Sequence, residues 1–420
     1  MKNTFKIVFS ALIVLAGIFS TQSVKATDGY FGVGYGAQNK GLAGAGIAWY
    51  QNSLINGNPA GHVFLGKQYQ VGVGFFNPNR EYTVTGNPSG APAFGLTPGN
   101  VKSDSKLFLM PSMGANWMIN EKSSFSATLF GNGGMNTDYP TQTFYDQSSS
   151  TTGVDLGQMF LGLTYSRKIA EKHSFGITAL LAYQYFEAKG LSAFKPMSGA
   201  PNKLTNNGHD SGFGYGVKFG YMGELAKGLH LGASYQTMLY MSEFDDYAGL
   251  FAEQGDFNIP STWTVGLAYE INEDWAVMAD YKVINYTDVA SVSNKMDPMA
   301  FATAPLGSDK GAGFGWQDIN VWKFGVEFAG VNTWTFRGGY SHTDQPVPNS
   351  EVMFNILAPG VIEDHITLGC SKTLGDSGKA LHLALVYALP SSVKGMNPMD
   401  PAQTIELEMN QFEVEIAFTF

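Results

Sequence analysis

The chain has 420 residues, 51 of them glycine, with 14% aromatic and 14% charged residues and a formal net charge of −10. The acidic balance excludes nucleic acid, whose phosphates demand clustered Lys and Arg. A single cysteine, Cys370, excludes an internal disulfide or a Cys-based zinc site and reads as a small hydrophobe on the apolar phase of a strand.

Residues 1–26 read as a signal peptide. Lys2 and Lys6 give a positive n-region, Ile7 to Phe19 is an apolar stretch too short to span comfortably, and Val24-Lys25-Ala26 fits a cleavage site. The alternative is an N-terminal membrane anchor. Cleavage removes three lysines and takes the charge from −10 to −13. Residues 27–64 are small, glycine-rich and weakly periodic, a composition that can pack inside a lumen, and they end in Gly57-Asn58-Pro59-Ala60 followed by His62.

From residue 65 to 420 one grammar repeats: strand, tight polar turn, strand, long loop. Tight turns fall at 120–122, 170–172, 226–228, 272–274, 330–332 and 375–378. Long connections fall at 77–105, 134–155, 187–212, 241–259, 287–318, 343–360 and 390–404. These thirteen connections join fourteen strands. An even number of strands with alternating short turns and long loops is the signature of a bacterial outer-membrane barrel. The prediction is therefore an all-β fold: a 14-stranded antiparallel transmembrane barrel, with residues 27–64 as a plug in its lumen.

Alternation along the strands supports a lipid-facing wall. Phe175, Ile177, Ala179, Leu181, Tyr183 and Tyr185 share one face, as do Trp263, Val265, Leu267, Tyr269 and Ile271. The last strand ends Phe412, Val414, Ile416, Phe418, Phe420, with Glu413 and Glu415 opposite. Its upper part switches phase, with Ile405, Leu407 and Met409 on the other side. Either a bulge near Asn410-Gln411 swaps the faces, or the upper lumen is itself apolar.

The third strand is interrupted. Ser124 to Leu129 alternates, and then Gly131, Gly133 and Gly134 arrive within four residues, flanking Asn132. Glycines in a strand mark a bulge, a kink or a close backbone approach. In a membrane wall an interrupted ladder is tolerated where the freed groups line a cavity or meet other protein.

These features together resemble the FadL/TodX family of outer-membrane transporters for hydrophobic compounds. The resemblance is carried by the Asn-Pro-Ala of Asn58, Pro59 and Ala60, by GNGGMNTDY, by the Pro260-to-Gly266 strand opening, and by Trp334-Thr335-Phe336-Arg337 with the later Pro346-Val347-Pro348. It implies passive, downhill transport of long-chain fatty acids or, by the same route, of neutral monoaromatic hydrocarbons or alkanes. It further implies a kink at Gly131–Gly134 that opens the wall sideways; a simple bulge at the strand's outer end is the alternative. It implies a loop groove, for which Phe194, Met197, Tyr247, Leu250 and Phe251 are candidates. For a carboxylate head group the candidates are Lys189, Lys218, Lys323 and Arg337, with Lys282 on the same inward phase; each can instead pair with a barrel acid. Fatty-acid members carry a basic residue at the outer end of strand five, where this sequence has Gly190 beside Lys189. The implied partners are the hydrophobic ligand, outer-membrane lipid and lipopolysaccharide, and the barrel-assembly machinery, for a monomer without cofactor or metal.

A barrel hydrolase is the rival of another class, with His209-Asp210 facing Asp245-Asp246 to activate water. The chain contains neither His-Glu-x-x-His nor Gly-x-Ser-x-Gly. A general diffusion porin is the other rival, though an N-terminal plug is foreign to it.

Overall fold

A computed structural model describes residues 28–50, 52–55, 57–375 and 378–420. The expected signal peptide, residues 1–26, and residue 27 lie outside the described residues.

Fourteen strands form the wall: β1 (Gln68–Thr85), β2 (Phe108–Asn120), β3 (Ser123–Tyr139), β4 (Thr152–Ala170), β5 (His173–Lys189), β6 (Asp210–Ala226), β7 (Leu229–Gln236), β8 (Thr262–Glu270), β9 (Trp275–Ile284), β10 (Ile319–Val331), β11 (Trp334–Thr343), β12 (Asp364–Leu374), β13 (Lys379–Asn397) and β14 (Asp400–Thr419). Each pairs antiparallel with its neighbours, and β14 closes on β1 in unbroken register from Gln70↔Thr419 to Thr85↔Thr404. Closure leaves no free edge at the seam, which hydrocarbon requires. Two short strands in the loops, Gly99–Lys102 and Tyr240–Met241, add to the rims of β1 and β6.

Five of the six expected tight turns join consecutive strands on one side of the barrel, and the sixth, 375–378, falls between Leu374 and Lys379 and lies partly outside the described residues. Six long loops lie on the other. The seventh connection differs from expectation: residues 390–404 are mostly strand, and β13 and β14 meet at Pro398-Met399. Pro390 is absorbed where the register shifts between Ala388 and Ser391, so the missing N–H interrupts no regular ladder.

Side chains alternate as the pleat dictates. Phe175, Leu181, Leu267, Leu368, Leu381, Ile416 and Phe420 are exposed on the outer wall. Cys370 joins this outer face opposite Phe336. On the inner phase of β14, Glu413 and Glu415 lie below Leu407 and Ile405, and no bulge separates them in the β1 register. The upper lumen is thus apolar, and the alternative of a face-swapping bulge near Asn410-Gln411 is excluded. Tyr82, Phe186, Ile284, Val321 and Leu407 from the wall fuse with loop residues such as Phe144, Phe244, Trp316 and Val352 into one apolar core.

The described residues of 28–64 pack against inward-phase positions of the wall, such as Gly176, Gly232 and Gly339, and are mostly buried. A short helical turn, Ala37–Lys40, and a 3-10 turn, Pro59–Phe64, are their regular elements.

Candidate functional site

The wall opens at β3. Its lower half pairs with β2 from Asn120↔Ser123 to Ser112↔Phe130. Above Phe130, β3 continues to pair with β4 up to Tyr139↔Thr152 and leaves β2. β2 meanwhile runs on beside β1 to Phe76↔Phe108. No ladder joins Phe108–Pro111 of β2 to Gly131–Asn136 of β3.

The cause is one extra residue. Gly131 faces Met159 and Gly133 faces Gln158, so Asn132 has no partner position on β4. Such a two-against-one bulge bends its strand. The glycines then permit close approach: a Cβ on Gly133 would stand 1.7 Å from the Tyr30 carbonyl oxygen, and one on Gly134 2.1 Å from that of Leu156.

The groups freed from the ladder find other partners. Gly32 N–H donates to the Asn132 carbonyl at 3.1 Å, and Phe31 makes a β-bridge to Gly133. Asn132 donates to Gln158 Oε1 at 2.9 Å and accepts from the Tyr35 hydroxyl at 2.7 Å. Higher up, the Arg80 guanidinium donates to the carbonyls of Asn136 and Ser105. Asp104 N–H reaches the Asp138 carbonyl at 2.8 Å, closing a roof over the gap. Inner segment, loop and arginine together replace the missing stretch of β2, which satisfies the requirement for paired backbone groups at membrane depth.

A cavity of about 390 Å³ passes through this gap. Tyr30, Gly32, Met409 and Gln411 line it on the lumen side, and Leu109, Met159 and Tyr183 on the side of the outer wall.

Below, the inner segment is fixed by charge. Asp28 pairs with Lys282 and Lys323, each at 3.0 Å. Lys40 pairs with Glu413 and with Glu415, the latter at 2.7 Å. Asp280 accepts from Ile47 N–H at 2.9 Å, and Trp49 donates to Glu327, which pairs with Arg337 at 2.7 Å. Buried pairs contribute little net stability, but each is costly to break, so they fix position more than they stabilise.

The Asn58-Pro59-Ala60 stretch docks on β4, β5 and β6. Asn58 donates to the carbonyls of Ile47 (2.7 Å) and Tyr221 (3.0 Å) and accepts from Ala60 N–H. The Pro59 carbonyl takes the Ser166 hydroxyl and that of Ala60 takes Ser174. Gly176 and Gly220 make room, since a Cβ on either would stand within 2.3 Å of this stretch.

The other sequence candidates are dispersed. Lys323 and Arg337 sit in the lumen in ion pairs with Asp28 and Glu327. Lys218 borders a small cavity of about 30 Å³ next to Pro59 and His62 and has no ion pair among the described residues. Lys189 falls on the outward phase of β5, paired with Glu187 at 2.9 Å, and so does not reach the lumen. Phe194, Tyr247 and Phe251 are 2%, 0% and 3% exposed, filling the loop core instead of lining an open groove. Met197 and Leu250 pack beside them, partly buried. His209 does not face Asp245-Asp246: its Nε2 lies 3.0 Å from Asp155, and Asp210 accepts from Asp246 N–H. Sequence reasoning missed Arg80 by assigning residues 77–105 to a loop; its inward phase between Pro78 and Tyr82 was the available signal.

A closed fourteen-stranded antiparallel barrel with an apolar outer band defines an outer-membrane protein. The sequence matches the family model described as outer membrane protein transport protein (OMPP1/FadL/TodX) over residues 32–359, and the chain belongs to that family. No significant match is found among curated proteins. Among solved structures it is similar to the Pseudomonas putida toluene transporter TodX (20% identity, 92% of this chain and 98% of that chain, TM-score 0.64). It is also similar to the Ralstonia pickettii toluene transporter TbuX (16%, 92% and 98%, 0.62) and to a Pseudomonas aeruginosa FadL homologue (14%, 93% and 98%, 0.65). At these identities the likeness is one of fold.

Proposed function

We propose that the protein is a passive channel for hydrophobic compounds, foremost long-chain fatty acids, that enter the apolar upper lumen and leave sideways. The supporting observation is the cavity through the gap between β2 and β3, which joins lumen to outer wall. A ligand following it passes from apolar core to bilayer without returning to bulk water, and burial of its apolar surface supplies the attraction at each stage. Residues 28–64 act as the plug: they block the lumen below and border the gap with Tyr30 and Phe31. Flow is downhill and no chemical step is involved. The working unit is a monomer that contacts outer-membrane lipid and lipopolysaccharide after insertion by the barrel-assembly machinery.

Uptake of neutral monoaromatic hydrocarbons or alkanes by the same route is the second reading. It is favoured by the likeness to two toluene transporters and by the outward direction of Lys189.

The test is uptake of labelled oleate and labelled toluene by a Gram-negative strain lacking its own transporters, with folded surface barrel confirmed by heat-modifiable mobility. Uptake of oleate that is lost on deleting Asn58-Pro59-Ala60 supports the first reading. Uptake of toluene alone moves the ligand to neutral compounds. A large, steady ohmic conductance with uptake of neither contradicts both.

A further inference from the structure

Arg80 is an unusual residue for its place. It lies on the inward phase of β1, in the half of the lumen that is largely apolar, and is 6% exposed. Arginine does not deprotonate in proteins, so this is a buried cation. Among the described residues no carboxylate pairs with it. The lumen cations Lys40, Lys282, Lys323 and Arg337 each have one. The guanidinium spends two N–H groups on the neutral carbonyls of Asn136 and Ser105, and its Nε is buried without a partner. A buried charge held by neutral groups alone is costly, and an anion relieves that cost.

Its surroundings define which anion. Arg80 borders the cavity through the wall gap, beside Phe76, Met110 and Met135. The Phe108 ring lies 5.8 Å from the guanidinium carbon. The slot is largely apolar, and its lining also carries the Lys40–Glu413 pair and, besides Arg80, Asp155. Lys40 is already paired, so an amphiphile with an anionic head would lay its chain along the apolar lining and bring its head to the fork of the guanidinium. That fork matches a carboxylate in two parallel N–H···O bonds. Lys218, which also has no ion pair among the described residues, borders a cavity of about 30 Å³, too small for a head group.

We propose that Arg80 is a head-group site for ionised long-chain carboxylates at the wall gap. The inference rests on the transport reading and narrows it. Arg80 favours the ionised acid over a neutral lipid of equal length at the point where the ligand leaves the protein.

The experiment compares labelled oleate with labelled oleyl alcohol, which share a chain and differ in the head, at neutral pH in the transporter-deficient strain. Loss of a charge-assisted pair predicts that Arg80→Gln slows oleate about tenfold while oleyl alcohol changes less than about twofold. Arg80→Lys, which keeps the charge, restores most of the oleate rate. Equal loss of both probes in Arg80→Gln marks Arg80 as a structural tie and overturns the proposal, and so does an unchanged oleate rate. A wild-type barrel that passes the alcohol but not oleate also overturns it and leaves hydrophobic transport standing. A folded wild-type barrel that passes neither overturns the transport reading as well.

Discussion

The two halves of the lumen are built from the same alternating strands but hold their contents differently. In the lower half the inward positions are largely polar, and several are charged: Glu413 and Glu415 hold Lys40, Lys282 and Lys323 hold Asp28, and Arg337 with Glu327 meets Trp49. In the upper half the inward positions are mostly apolar: Ile405 and Leu407 on β14, Tyr82 and Val84 on β1, Phe186 on β5. Charged contacts are directional and specify one seat for the inner segment, whereas apolar contacts are non-directional and accept another apolar body. The lower half therefore anchors the inner segment, the upper half is the path in the proposed function, and the wall gap lies where the two meet.

Substitutions in the two halves are expected to fail differently. Gly133→Leu comes first: its side chain meets the Tyr30 carbonyl, displaces Phe31 and fills the gap. It is expected to lower uptake by about tenfold or more, equivalent to about 1.4 kcal/mol or more, while heat-modifiable mobility stays normal. In the lower half, Glu327→Ala leaves Arg337 buried without its carboxylate and is expected to cost about 3–5 kcal/mol. Urea unfolding in detergent or lipid reads that loss. In the loop core, Tyr247→Phe removes a hydroxyl that donates to the Gly208 carbonyl at 2.6 Å and accepts from Ala188 N–H at 3.1 Å. The cost is about 1–2 kcal/mol by the same assay.

The smallest effect is electrostatic. Burial holds the carboxyl of loop residue Asp256 up at about 6, with Glu253 and Glu243 adding repulsion. A raised folded-state pKa means that the fold binds the proton more tightly than the unfolded chain. Stability should therefore be highest below the ordinary carboxylate range and fall as pH rises to about 6, then level off. Asp256→Asn should remove that slope and be slightly more stable than wild type at pH 7, as read by the unfolding midpoint against pH.

Much of this was legible in the sequence. The six tight turns are short polar runs between alternating segments, and local chemistry fixes such turns. The β3 bulge was visible as Gly131, Gly133 and Gly134, because glycine there answers a contact no side chain can share. The rest depended on tertiary context. Asn77-Pro78-Asn79-Arg80 reads as a loop, but Pro78 falls just beyond the last β1–β2 pair, where the strand loses that neighbour. The upper β13–β14 hairpin was hidden for a similar reason, since a register shift accommodates Pro390. The candidate groove aromatics could not be told from loop core by pattern, since both present apolar side chains between turns. Lumen charges were identified by phase, but Asp28, which pairs with Lys323, and Lys40, which pairs with Glu413, come from the inner segment, hundreds of residues away in sequence.

The central claim, that ligand leaves through the gap made by the bulge, is tested most directly by deleting Asn132. Inward positions are Ser124, Ser126 and Thr128 before the bulge and Met135, Thr137 and Tyr139 after it. Removing one residue therefore keeps every side chain on its own face while restoring a regular ladder. The account predicts a folded, heat-modifiable barrel whose uptake of oleate and toluene has fallen to the level of cells without the protein. A folded deletion variant that takes up either compound at the wild-type rate would contradict it.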